Sequence, residues 1–444
     1  MTQPSSPERI PWPVFFVAVA GAFVVALDLS IVNVAFPSIG QSFPEATTST
    51  LSWVLTAYSV VFGALLLGAG RIADRSGRRR WFLRGVAVFT LGSLLCGIAV
   101  APWLLIAGRV VQAVGAALLM PSSLAVLLGA TPPALRPQAV AMWGGISALA
   151  VATGPSLGAV LIDAGGWRWA FFVNLPVLAV VALVTTRVVS ETVVGGPRPD
   201  LLGVAVLSLA VAALALGITQ GEDWGWASGP VLGALAAAVG LGVTAVRRAR
   251  VHPAPAIDLS LLANRTVALA NAATIAYAVG FFAMLLANVL FLTEVWGYST
   301  LKAGLAITPG PLVVAALSRS TGALAARVGY RPVLVGGSLV FAAAQLWSVA
   351  LMPLEPAYLA RWLPASLLTG LGVALTFPVL SAAAVAGLPP ERFGVGGAVN
   401  QTARQMGAVL GVALLVAILG TPTSPAAALD AFQRAWVLCA GAAI

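Results

Sequence analysis

The sequence predicts an all-α polytopic membrane protein with about fourteen spans. Of its 444 residues, 60% are hydrophobic and 9% are charged, whereas a soluble domain carries about 25% charged residues. Apolar runs recur from Pro13 to the C-terminus, and each is near the ~20 residues that a helix needs to cross a bilayer. Transmembrane β-strands would instead show alternating segments of about ten residues, so helices are expected throughout.

The apolar runs set the positions of the spans. The first run is too long for a signal-peptide core, so we interpret it as a retained span. The last run, AWVLCAGAAI, is about half the length of a span, so the C-terminus is expected to be cut short. The predicted spans are 13–36, 50–70, 81–100, 103–129, 137–162, 168–190, 201–219, 229–246, 266–292, 300–318, 332–352, 357–387, 395–419 and from 435 onward.

Basic residues alternate between the two sides of the predicted membrane. Loops on one side hold 18 of the 24 basic residues, whereas the opposite loops hold only Arg168, Lys302, Arg361 and Arg434. The positive-inside rule therefore predicts a cytoplasmic N-terminus. The net charge of +10 is spread over short loops and forms no continuous basic surface, so no nucleic-acid partner is expected.

The chain repeats itself weakly. GRIADRSGRRR (70–80) is echoed by GALAARVGYRP (322–332), 252 residues later, and GAALLMPSS by GVALTFPVL, 257 residues later. Parallel halves around a midplane site are a transporter architecture. We therefore expect an N-terminal six-helix bundle over 1–195, two inserted transmembrane helices with a linker over 196–255, and a C-terminal six-helix bundle over 256–444.

Five segments, in order and each in its expected span, resemble signatures of the major facilitator superfamily, fourteen-span drug:proton antiporter branch. They are LDLSIVNVAFP, GRIADRSGRRR, RVVQAVGAA, GISALAVATGPSLGAVL with WRWAFFVNLP, and NQTARQMGAVLGVAL. The resemblance implies a secondary transporter that exports lipophilic or cationic small molecules (drugs, antibiotics) in exchange for protons by alternating access. An exporter dedicated to one endogenous metabolite or lipid intermediate would share the fold and the coupling, and the sequence leaves that alternative open.

Asp28 is the only one of the fourteen carboxylates that lies well inside a predicted span. A charged aspartate at a helix centre costs ~2.5–3.5 kcal/mol on insertion scales, and intramembrane acids are usually functional. We expect Asp28 to take up and release the coupled proton, with Asn33 as a hydrogen-bond partner. A permanently protonated Asp28 that holds two helices together is the alternative. The resemblance links Arg109 of span four to proton movement, and snorkelling to the interface or structural pairing is the alternative there.

The resemblance assigns two further sets of residues, and polar or aromatic side chains within the spans supply a third. The conformational latch is Gly70, Asp74, Arg75, Gly77 and Arg78, and the antiporter kink is Gly154, Pro155 and Gly158. The candidate substrate or polar pathway is Asn33, Trp53, Tyr58, Gln112, Glu294, Asn400 and Arg404. Aromatic side chains in membrane helices also serve packing, and Glu294 near a span end is equally consistent with a solvated interface acid.

No enzymatic motif accompanies these features. The chain has no H-E-x-x-H, no acidic pair within a span and no Walker loop, so an enzyme or an ATP-driven pump is not expected. Cys96 and Cys439 lie in apolar runs and predict neither a disulfide framework nor a metal site. We expect no cofactor or metal, a small-molecule substrate, protons and membrane lipids as partners, and a monomer in a bacterial inner membrane.

Overall fold

The structure, a computed structural model, is helical throughout the part of the chain that it describes. That part comprises residues 10–132, 135–193, 200–253, 255, 259–386, 388, 393–420, 422 and 424–444. The first seven helices are α1 (Trp12–Ser42), α2 (Thr48–Ser76), α3 (Arg78–Gly97), α4 (Pro102–Ala130), α5 (Arg136–Gly165), α6 (Trp169–Phe172) and α7 (Asn174–Val188). Next come α8 (Leu201–Thr219), α9 (Gly221–Trp224), α10 (Gly229–Val251) and α11 (Leu259–Leu262). The last seven are α12 (Arg265–Leu290), α13 (Thr300–Ile307), α14 (Pro309–Val328), α15 (Tyr330–Leu351), α16 (Leu363–Ala383), α17 (Phe393–Leu419) and α18 (Pro425–Ala443).

Ten helical stretches among the described residues are long and apolar enough to cross a membrane. They are Trp12–Ser42, Pro102–Ala130, Trp169–Val188, Leu201–Thr219, Gly229–Val251, Arg265–Val295, Thr300–Leu317, Tyr330–Leu351, Tyr358–Ala383 and Val399–Leu419. The chain is therefore a multi-pass membrane protein. These stretches number ten, so the predicted total of fourteen spans is not supported.

The predicted start of the last span was wrong. The helix α18 begins at Pro425, ten residues before the predicted start, and runs for 19 residues. The Ser424 hydroxyl caps it by accepting from the Ala427 N–H, as serine does at helix starts. Asp430 and Arg434, one turn apart, form an exposed ion pair in its first half. Those charges interrupt the apolar run in the sequence while leaving the helix intact.

The α3–α4 pair is held together by glycines on both helices. A Cβ on Gly115 would lie 2.3 Å from the Phe89 backbone nitrogen, and one on Gly92 would lie 2.4 Å from the Gln112 backbone nitrogen. Real Cβ atoms do not come that close, so only glycine fits at these points. Small residues at membrane helix contacts let backbones approach closely. The close approach brings polar side chains of α3 and α4 into hydrogen-bond distance.

The same packing recurs in the second half of the chain. A Cβ on Gly372 would lie 2.6 Å from the Phe341 backbone nitrogen, and these residues stand 257 and 252 positions after Gly115 and Phe89. The α15–α16 contact therefore repeats the α3–α4 contact in its atomic detail. Those offsets are the ones that separate the repeated sequence segments.

Two seams join the first and second halves of the chain. In one, α2 packs on α17, and the Thr402 hydroxyl donates to the Gly63 carbonyl at 2.9 Å. In the other, α5 packs on α13 and α14, and a Cβ on Gly304 would lie 2.6 Å from the Pro155 carbonyl oxygen. The α8 helix lies across the first seam, in contact with both α2 and α17.

The α8 and α10 helices form a hairpin that is tied at one end by an ion pair. The Asp200 carboxylate caps α8 by accepting from the Gly203 N–H at 2.8 Å, and it accepts from Arg248 Nε at 2.7 Å. Burial opposes the ionisation of Asp200, but the Gly203 hydrogen bond and the Arg248 guanidinium together hold its pKa below the ordinary value. One carboxylate thus stabilises both the start of α8 and the end of α10.

Replacing Gly115 with alanine should lower the midpoint of thermal unfolding in detergent by several degrees. The added methyl group would force α3 away from α4, and overpacking of this kind costs about 1–3 kcal/mol. Gly240→Ala on α10 is the matched control, because its Cβ would meet nothing within 4 Å. An equal effect of the two substitutions would show that the close α3–α4 approach does not matter for stability.

The stabilisation of the α8–α10 hairpin by the Asp200–Arg248 ion pair should decrease at low pH. A lowered pKa means that the stabilisation is present at neutral pH and is lost as the pH falls below the ordinary aspartate value of 3.8 towards the folded-state pKa. Asp200→Asn should increase amide hydrogen exchange at the start of α8 and the end of α10 already at neutral pH. Asp163→Asn, at an exposed position near the end of α5, is the control, and unchanged exchange in Asp200→Asn would contradict the assignment.

Candidate functional site

Asp28 lies at the centre of a buried polar cluster between α1, α3, α4 and α7. The carboxylate is fully buried, and Arg109 Nη1 donates to its Oδ2 at 2.6 Å. Gln112 Nε2 and Asn174 Nδ2 donate to its Oδ1 at 2.8 and 3.2 Å. A buried ion pair is stable only with good geometry and further hydrogen bonds, and this carboxylate has both.

Three further groups position the Arg109 guanidinium. Its Nε donates to the Val54 carbonyl of α2 at 2.9 Å, and Nη1 also donates to Gln112 Oε1 at 2.6 Å. The guanidinium carbon lies 4.1 Å from the centre of the Tyr58 ring, a cation–π distance. The Nη2 group is buried without an acceptor among the described residues, so its two N–H donors are unused there.

Ser93 of α3 completes the cluster. Its hydroxyl accepts from Gln112 Nε2 at 2.9 Å and from Asn174 Nδ2 at 3.3 Å. It comes next to Gly92, whose missing side chain lets α3 approach α4 at Gln112. Ser93 therefore orients the two amides whose other contact is the Asp28 carboxylate.

The structure excludes one alternative for Arg109 and corrects the expected partner of Asp28. Arg109 is fully buried, so it does not snorkel to the interface. It pairs with Asp28, a partner that the sequence did not indicate. Asn33 is not the partner of Asp28, because its Nδ2 donates to the Leu29 carbonyl of its own helix at 2.7 Å. An i, i+5 pair does not share a helix face, whereas i, i+4 does.

Ser93 and Asn174 were not predicted as members of the site. Asn174 stands in WRWAFFVNLP, one of the segments that carry the resemblance, and that was the available signal for it. Ser93 had none, because serine is common in membrane helices. Tyr58 and Gln112, predicted as pathway residues, do lie in the cluster.

The predicted latch residues mark a tight turn between α2 and α3. Gly77 has a φ of +117°, a conformation that favours glycine, and Gly70 packs on Pro121 of α4. Arg78 Nη1 donates to the Ala125 carbonyl at 3.2 Å. Arg75 is half-buried, and the Asp74 side chain lies outside the described part of the structure.

Glu191, after α7, is a further residue at this turn. Its carboxylate accepts from the backbone N–H groups of Arg79 and Arg80, each at 3.0 Å. These are free donors at the start of α3, where a negative charge is stabilising. The sequence did not single out Glu191, because it lies more than 110 residues away along the chain.

The predicted kink residues bring α5 against α1 and α13. Pro155 lies inside α5 without ending it. A Cβ on Gly154 would lie 2.4 Å from Ser30 Cβ, and one on Gly158 would lie 3.1 Å from the Ile31 side chain. The segment therefore joins α1 to the seam with α13, where Gly304 meets the Pro155 carbonyl.

The remaining pathway candidates lie apart from the Asp28 cluster. Trp53 is partly buried against the apolar cluster where α2 meets α8, which is a packing role. Glu294 is exposed in a π-helical turn after α12. Asn400 donates to Thr274 Oγ1 at 2.8 Å, and Arg404 lies with its guanidinium carbon 5.2 Å from the Phe377 ring centre.

Known proteins match both the sequence and the fold. The model of the family described as Major Facilitator Superfamily matches residues 18–412. The chain is 36% identical over 403 residues to the Multidrug resistance protein Stp of Mycobacterium tuberculosis, covering 90% of this chain and 74% of that protein. It is 30% identical to the Tetracenomycin C resistance and export protein of Streptomyces glaucescens, covering 96% and 78%. A solved auto-inhibited POT family peptide transporter shares the fold, with a TM-score of 0.70 at 17% identity, covering 98% and 96%.

The buried ion pair predicts an unusual stability pattern. Asp28→Asn leaves Arg109 charged, because arginine does not lose its proton, and an unpaired buried charge costs about 3–5 kcal/mol. Adding Arg109→Gln removes that charge, so the double variant should unfold at a higher temperature than Asp28→Asn alone. Thermal unfolding in detergent measures this, and additive losses in the double variant would contradict the pairing.

Proposed function

Because this chain belongs to the major facilitator superfamily, we propose that it exports lipophilic small molecules in exchange for protons by alternating access. Membership in this family makes it a transporter and not an enzyme. Relatives named for multidrug resistance and for the export of one antibiotic support the assignment of drug efflux. We place it in the fourteen-span drug:proton antiporter branch.

The Asp28–Arg109 pair is the observation that most directly supports proton coupling. While Asp28 is ionised, it holds Arg109 and both amides in place. When the carboxylate takes up a proton it loses its charge, and the attraction to Arg109 falls with it. Arg109 then depends on the Val54 carbonyl, on Gln112 and on its unused Nη2 donors. Proton uptake thus changes both the charge and the hydrogen bonding where four helices meet.

The two seams provide the surfaces along which the halves rock. The α5 seam is close-packed at Gly304 and Pro155, and near it Ser38 of α1 lies 3.3 Å from the Thr300 hydroxyl. Loss of these contacts opens that end of the transporter. Ser30 packs on Gly154 of α5 and lies two positions from Asp28, so α1 connects the proton site directly to this seam.

The membrane arrangement follows from the same proposal. Residues 1–195 form the N-terminal bundle, 196–255 the inserted hairpin and 256–444 the C-terminal bundle. The helices α2, α3, α5 and α18 have 29, 20, 30 and 19 residues, which is long enough for four more spans. The N-terminus and the arginine-rich turn lie in the cytoplasm of a bacterial cell, and the protein acts as a monomer. Asp74 and Arg75 form the latch between the halves.

A dedicated exporter is the second candidate. The relative from Streptomyces glaucescens is named for one antibiotic, tetracenomycin C. Such an exporter would use the same proton site and would differ in the cavity residues. It would transport one compound and would not transport unrelated lipophilic probes.

Reconstituted vesicles with an acidic lumen test the proposal. The wild-type protein should accumulate at least one of three probes, namely ethidium, naphthalene-1-carboxamide and naphthalene-1-carboxylate. Asp28→Asn should lose this accumulation, because the amide that replaces the carboxylate cannot carry a proton. It should retain probe exchange without a gradient, when activity is normalised to folded protein.

Asp163→Asn at an exposed position is the control and should behave as the wild type. Gradient-driven accumulation that survives in Asp28→Asn would remove Asp28 from the coupling mechanism. Accumulation that the wild type shows equally without a proton gradient would overturn antiport itself.

A further inference from the structure

A second arginine lies deep in the helical bundle, remote from the Asp28 cluster. Arg404 is in the middle of α17, and its guanidinium carbon lies 5.2 Å from the centre of the Phe377 ring of α16. Its Nε is buried and has no hydrogen-bond acceptor among the described residues. The residue as a whole is partly exposed.

No carboxylate of the described residues lies within salt-bridge distance of Arg404. Asp28 is the one acid well inside a predicted span, and its carboxylate already accepts hydrogen bonds from Arg109, Gln112 and Asn174. Within the described part of the chain, Arg404 therefore holds a positive charge without a protein counter-ion.

One aromatic ring, Phe377, lies beside the guanidinium, and two further rings pack on it. The Phe377 ring meets Tyr277 and Phe281 of α12 edge to face, with centroid distances of 5.1 and 4.9 Å. One turn before Arg404, Asn400 is fixed to α12 through Thr274. The arginine thus stands beside a rigid aromatic wall formed by α12 and α16, the second-half counterparts of α1 and α4.

We propose that Arg404 and this aromatic wall form the subsite for the acidic group of an anionic aromatic substrate. A guanidinium gives a carboxylate two parallel hydrogen bonds, and Phe281, the partly exposed ring of the wall, gives a planar ring an edge or a face to pack on. With Asp28 ionised, the Asp28–Arg109 pair carries no net charge, so Arg404 adds a net positive charge among the buried groups that the structure describes. That charge disfavours the cationic substrates that the resemblance implies.

This inference rests on the proposed export function, but binding tests it separately from transport. The probes are naphthalene-1-carboxylate, naphthalene-1-carboxamide and 1-naphthylmethylammonium, which share one ring and differ in charge. Calorimetric titration of the purified full chain at neutral pH should show the carboxylate binding about tenfold or more tightly than the ammonium, as a charge-assisted hydrogen bond allows.

Arg404→Gln should abolish the preference for the carboxylate and leave carboxamide binding unchanged, while Arg404→Lys should keep part of the preference. Arg361→Gln, at an exposed arginine, is the matched control. The proposal is overturned if the wild type does not prefer the carboxylate, if Arg404→Gln keeps the preference, or if Arg404→Gln loses all three probes alike. Charge-selective binding without gradient-driven transport would instead refute the proposed antiport alone.

Discussion

The ion pair between Asp28 and Arg109 is the interaction on which the rest of the site depends. Moving two charges out of water costs several kcal/mol per ion, and only close geometry with additional hydrogen bonds offsets that cost. Here the geometry requires α3 and α4 to approach until Gly92 contacts the backbone of Gln112. The ion pair can therefore form only where small residues let the two helices pack closely. A substitution that separates these helices would also weaken the hold on the buried carboxylate.

The two halves share their packing and differ in their charges. Where the first half places Ser93 against Gln112, the second half places Gln345 against Thr369, with a distance of 3.3 Å between the amide nitrogen and the hydroxyl. These residues stand 252 and 257 positions after their counterparts. Among the described residues, the second pair has neither a carboxylate nor a guanidinium bonded to it. The duplication has thus kept the helix contacts, while the titratable pair belongs to one half and Arg404 to the other.

Much of the fold could be predicted from run lengths, because a bilayer imposes a fixed helix length. Asp28 could be predicted because an acid in an apolar run is conspicuous. Its partner Asn174, and Ser93, which holds the two amides, could not, since they lie 146 and 65 residues away and are ordinary residues in membrane helices. Asn33 was chosen for its nearness in sequence, although the helix turns it to another face. The start of α18 was missed because Asp430 and Arg434 interrupt the apolar run in the sequence. The helix nevertheless extends over them, supported by the Ser424 cap and by their ion pair.

The hairpin of α8 and α10 makes the two seams unequal. The α8 helix screens the joint between α2 and α17, and Val60, Leu207 and Val409 are buried there. The helices of the other seam, α5, α13 and α14, carry the exposed apolar side chains of Leu157, Val160, Leu305 and Leu312. Acyl chains can therefore contact the α5 seam directly, whereas α8 lies over the contact between α2 and α17. Under the proposed export function, a compound dissolved in the hydrocarbon layer could reach the α5 contact directly from the lipid, and its partitioning into lipid would then set how often it arrives there.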